Sequence, residues 1–292
     1  MVLERIFKAT WVEQKHWHAY IMGMVVSIIG IGLALFVFPD SPGLISLAFI
    51  SLLSLPVLYK LINIEERMEA KEKSFSFKEL WKDNKNFVLS YLFMLFGAEI
   101  IFTTFAIMLP GSTLSHIFAE QVSMFGQLGL ARDTLVGGMY FTKALFFDIF
   151  SNNLKVFGLC FLLSLLAGNS AILFLMWNIS VWGTIFGDLA RMAAINAGGN
   201  SWFYYLLIFV SVLPHGVLEV LAYIMAAISG AVISRGFELE IGMTSRMKEI
   251  LIYNTMLFLV GIVILLMGGV VETFILENNT VYRDIIIKAI SR

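Results

Sequence analysis

His215 and Glu219 stand four residues apart, so on a helix they share one face. An imidazole and a carboxyl at that spacing can bind a metal, relay protons or satisfy each other. Pro214 is placed to begin that helix, where its missing N–H does no harm. Gly216 lets a neighbouring backbone come close. Two ligands do not make a zinc site, which wants at least three from the protein. Glu99, Asp148 and Asp188 are the acids that would have to supply the rest. Mutual hydrogen bonding is the leading reading, ahead of proton relay, with metal or catalysis last. Glu99 is the secondary candidate. It sits in an apolar run among Phe96, Gly97, Ile100 and Phe102, and left ionised and unpaired in a membrane it would cost roughly 3 kcal/mol. It must face the bundle or a wet cavity. Asn152, Asn153, Asn169 and Asn178 lie at or within apolar runs, where amides bridge helices. Asn178-Ile179-Ser180 matches a glycosylation sequon, but its depth in an apolar run makes that match false. There is no Gly-rich phosphate loop, no HExxH and no Ser/His/Asp order. No catalytic, cofactor-binding or metal-binding residue is assigned, and no cofactor is expected.

The elements that position these residues are membrane spans. The chain has 292 residues, 59% hydrophobic and 14% charged, with 26 Phe and a net charge of −1. Soluble domains run near 45–50% apolar and about 25% charged. The expected fold is all-α, a polytopic transmembrane bundle of six or seven spans. The charge balance gives no pull toward nucleic acid, and the single Cys160 excludes a disulfide framework.

Roughly 20 apolar residues cross a bilayer as a helix. Runs 20–38 and 41–59 form a hairpin across Pro39-Asp40; the first is too long for a cleaved signal peptide. Residues 60–86 are polar: 64–73 read as a charged solvated helix, and 76–82 as a segment lying in the membrane surface. Run 87–109 is the third span, closed by Pro110. Residues 115–130 suit an interfacial or re-entrant helix, and 135–150 an aromatic amphipathic one. Run 156–187 exceeds one crossing, so a turn falls at Gly168-Asn169-Ser170 or Trp177-Asn178. Gly198-Gly199-Asn200-Ser201 makes another turn. Pro214 should break the helix over 203–234, because it removes a ladder hydrogen bond and 32 residues exceed one crossing. The last span is 250–271, followed by an amphipathic tail. Gly183-x-x-x-Gly187 and the series Ala226, Gly230, Ser234 mark close helix contacts.

Lysine and arginine set the orientation. Residues 60–86 hold seven of them and 110–150 only Arg132 and Lys143. The N-terminus and the 60–86 loop are expected on the cytoplasmic side of a cell membrane. The chain divides into 1–86, a hairpin plus charged loop, and 87–292, a membrane core.

Phe150-Ser151-Asn152-Asn153, the punctuated stretch through Gly168, Asn178 and Gly183, and Leu213-Pro214-His215-Gly216-x-x-Glu219-x-x-Ala222 resemble the stage II sporulation protein M family. The resemblance covers about 140–235. It departs at Asn178, followed here by Ile179 where the family has Gly. It implies that Asn152, Asn153, Asn178, Pro214, His215, Gly216 and Glu219 form an intramembrane polar site. Bacterial members act in spore engulfment as a membrane scaffold for cell-wall-degrading partners, and the family extends to archaea without a murein wall. The expected function is a non-enzymatic membrane scaffold or assembly factor, with the lipid bilayer and protein partners or further copies of itself as company. The alternative is a transporter or channel component, with Glu99, His215 and Glu219 lining the path. An intramembrane metal-dependent enzyme ranks last.

Overall fold

The computed structural model describes residues 12, 15–69, 77–128, 143–240, 242 and 244–290; for 62–69, 77–83, 125–128 and 143–144 it describes the backbone alone. The described residues are helical nearly throughout. The helices are α1 His16–Val37, α2 Pro42–Glu69, α3 Phe77–Met108, α4 Gly111–Ile117, α5 Ala119–Leu128, α6 Lys143–Ala167, α7 Ala171–Ala197, α8 Ser201–Leu239, α9 Ser245–Asn278 and α10 Thr280–Ile290.

Six apolar stretches among them reach spanning length. One, Leu145–Ala197, has 53 residues. It is divided at Gly168–Ser170, where Gly168 takes a φ of 61° that only glycine adopts without strain. The two halves, α6 and α7, are each long enough to cross, giving seven crossings. Contacts at the helix ends show that the chain reverses at that break. Tyr91, early in α3, donates to Asn169 Oδ1 at 2.9 Å, and Arg235, late in α8, lies over the Tyr59 ring. At the opposite end, Ser41 Oγ reaches Glu120 in α5, and Asn196 donates to the carbonyls of Lys288 and Ala289 in α10. The break at Gly168–Ser170 thus shares an end with the late α8, while the α7 terminus shares the other with α4, α5 and α10.

α8 is the central helix, packed chiefly on α9, α6 and α7. Every residue from Ala222 to Ile233 is buried. Small side chains there let neighbouring backbones approach. A Cβ on Gly230 would strike the Phe161 carbonyl of α6. On α7, a Cβ on Gly183 would lie 2.7 Å from the Glu99 carbonyl oxygen, and Gly187 packs on Thr103 and Ala106. Gly23 of α1 and Gly97 of α3 make the same kind of contact with each other's helix. Bilayer helices associate through such packing, since lipid tails are as apolar as leucine.

Four expectations are corrected. α8 runs unbroken through Pro214, as α2 does through Pro56. Pro214 faces outward from the bundle, so its ring and the unpaired carbonyl of Val210 sit on the outer side, where a helix can open slightly. At about 1.5 Å per residue α8 is about 58 Å long, so it must tilt or project beyond the hydrocarbon. The segment 76–82 is no separate surface helix. From Phe77 it is the first part of α3. Residues 143–153 likewise open α6 and do not form an element of their own. The last span extends beyond 271 to Asn278. Residues 70–76 of the charged loop and 129–142 lie outside the described residues.

Candidate functional site

Two intramembrane carboxyl sites stand on α8. The first is Glu99 on α3, buried to 5% exposure. The Tyr205 hydroxyl, from α8, lies 3.0 Å from Oε1 and 2.9 Å from Oε2. Thr103 Oγ1, one turn along α3, lies 3.1 Å from Oε1 and 3.2 Å from the Gly183 carbonyl oxygen of α7. Three helices therefore meet on one carboxyl. A cavity of about 20 Å³ adjoins it, lined by Phe96, Trp182, Phe186, Phe209 and Gly216. That is room for about one water molecule.

The second site joins α6, α8 and α9. Asn153 Nδ2 donates to Glu219 Oε1 at 2.7 Å. Glu272 of α9 lies beside Glu219 and Asn153. Its Oε2 is buried and has no partner among the described residues. The local sequence explains the meeting. On α9, Gly268 lies against Glu219, where a Cβ would come 3.3 Å from Glu219 Cγ. Without a side chain at 268, α9 closes on α8, and Glu272 follows one turn later on the same face. Tyr223, one turn beyond Glu219, and Cys160 on α6 complete the neighbourhood. Outside the spans, burial and then the Glu272 charge push the Tyr282 hydroxyl of α10 up to about 12.

The expected site residues divide sharply. Asn153 and Glu219 meet. His215 is buried, but its Nδ1 has no hydrogen-bond partner among the described residues, and it does not pair with Glu219. Gly216 packs on Trp182, where a Cβ would lie 3.2 Å from the ring. Pro214 and Asn152 are exposed on the outside of the bundle. Asn178 donates to the Phe174 carbonyl of its own helix and bridges to no other helix among the described residues. Glu99 faces the bundle, as expected, and its partners there are a tyrosine and a threonine. Glu272 escaped the sequence reading because the apolar run stops at Val271. Gly268-Gly269, one turn before it, was the available signal, together with the apolar Phe274-Ile275-Leu276 after it.

A family profile described as stage II sporulation protein M matches residues 24–275. The chain belongs to that family. The match runs from within α1 to within α9, well beyond the 140–235 stretch that carries the motif, so it takes in part or all of each crossing and both carboxyl sites. No curated protein and no solved structure matches the chain. It is a multi-pass membrane protein of the stage II sporulation protein M family.

Proposed function

We propose that this family member is a non-enzymatic membrane scaffold or assembly factor, seated in a cell membrane with its N-terminus and the 60–86 loop in the cytoplasm. The observation that carries the reading is where the intramembrane polar groups point. Glu99 closes on Tyr205 and Thr103, and Glu219 on Asn153 and Glu272, each joining different helices of the same chain. Polar groups arranged so hold helices in register. The glycine contacts on α1, α3, α7 and α8 support the same reading, as does the one-water size of the cavity beside Glu99.

Such a body offers partners its outer surface and its ends. The test is purification from native membranes after mild cross-linking, alongside reconstitution into proteoliposomes. The scaffold reading expects one partner, or further copies of the chain, in fixed ratio and no flux of protons or metal ions. Flux that disappears in Glu219→Leu would replace it with the transporter reading, for which the meeting of Glu219 and Glu272 is the favouring observation. Orientation is tested separately with Glu72→Cys: an impermeant thiol reagent should label it only after the cells are opened.

A further inference from the structure

We propose that Glu219 and Glu272 together hold one exchangeable proton, a proton-binding site between α8 and α9 braced by Asn153 from α6. The proposal goes beyond the scaffold reading and stands independently of it.

Two ionised carboxylates are acceptors only and cannot hydrogen-bond each other. Glu219 and Glu272 nevertheless face each other inside two spans, where a Cβ on Gly268, one turn before Glu272, would lie 3.3 Å from Glu219 Cγ. Like charges at contact in a low dielectric cannot both persist. Something must supply positive charge or a proton. Asn153 supplies a neutral N–H to Glu219 Oε1. Among the described residues, the other titratable groups facing the pair are Tyr223 on α8, Cys160 on α6 and Tyr282 on α10, none of them cationic. His215 lies one turn back on α8 and makes no bond to either acid. Lys155 on α6 faces outward. Glu272 Oε2, buried and unpartnered, marks the place where a donor is missing. One proton shared by the pair gives the carboxyl–carboxyl contact its donor and leaves a single negative charge for the Asn153 amide. The proton belongs to the pair and not to either residue. The Glu99 site differs in its neighbours: two hydroxyls reach its carboxyl, where Glu219 meets a second acid.

The test is infrared spectroscopy of the full-length protein in lipid nanodiscs, in a Glu99→Gln background that silences the other intramembrane carboxyl. The proposal expects a carboxylic-acid C=O band at neutral pH, equivalent to one group per chain. It should shift down in heavy water and fade as the pH is raised. Glu219→Gln and Glu272→Gln should each remove it, because an amide N–H replaces the acid donor. Should either variant fail to fold, the heavy-water shift and pH titration of the parent still decide. No band at neutral pH, a band indifferent to heavy water and pH, or one that survives both glutamine variants would overturn the proposal.

Discussion

The two carboxyl sites on α8 solve one problem in opposite ways. Around Glu99, hydroxyl donors converge on the acid from α8 and from its own helix, and each side chain ends with a partner. Around Glu219, the neighbour that closes the site is a second acid, and one of its oxygens is left without a partner. The first arrangement brings the acid two hydroxyls and no second acid. The second is complete only when charge is supplied. A buried acid in a membrane is thus not one category. Whether it is a tie or a binding site follows from counting the donors that reach it.

The largest effect should come from the second site. Glu219→Leu removes the acceptor of Asn153 and the partner of Glu272 together. It should cost about 3 kcal/mol, because two buried polar groups lose their bonds at once. Thermal unfolding in detergent measures this, and a loss below about 0.5 kcal/mol would mean that the pair ties nothing. Glu219→Gln, which keeps an acceptor for Asn153, should cost under about 1 kcal/mol.

The Glu99 site should respond less steeply. Glu99→Leu orphans the Tyr205 hydroxyl, while Thr103 can still donate to the Gly183 carbonyl, so the expected cost is about 2 kcal/mol. Tyr205→Phe removes one donor and should cost about 1 kcal/mol, within the range seen for polar contacts between membrane helices. Equal losses for Glu99→Leu and Glu99→Gln would contradict the hydroxyl cage, because glutamine can still accept from both hydroxyls.

The smallest effect should be at His215. A buried imidazole nitrogen without a partner gives nothing to stability. His215→Leu should therefore change the unfolding temperature little, by less than about 0.5 kcal/mol in free-energy terms. A large loss would restore the histidine to the hydrogen-bond network.

Much of this was legible in the residues. Charge-free runs and their lengths located the spans, since bilayer thickness sets one scale for all of them. Gly168-Asn169-Ser170 was one of two candidate breaks, and the structure uses it. Small residues at 183, 187 and 230 sit where backbones touch. Asn153 and Glu219 were placed in one polar site by the family motif, and they meet. Pro214 misled because the rule that proline breaks a helix assumes a ring turned inward, against packed neighbours. On an outward face the helix continues. His215 and Glu219 share a face by arithmetic, but helix spacing does not tell which groups on other helices outcompete a neighbour one turn away. Asn153 and Glu272 did so here. Glu272 was invisible because hydropathy ends a span at its first charge, whereas the helix runs seven residues past Val271 to Asn278, and the acid turns inward where Gly268 admits it.

The central claim is that Glu219 and Glu272 act as one unit and Glu99 as another. Double-mutant cycles on unfolding free energy, using Gln replacements so that each variant folds, test it most directly. The account expects a coupling of about 1 kcal/mol or more between Glu219→Gln and Glu272→Gln, and additivity within about 0.5 kcal/mol between Glu219→Gln and Glu99→Gln. Additive effects for Glu219 and Glu272, or equal coupling of both to Glu99, would contradict it.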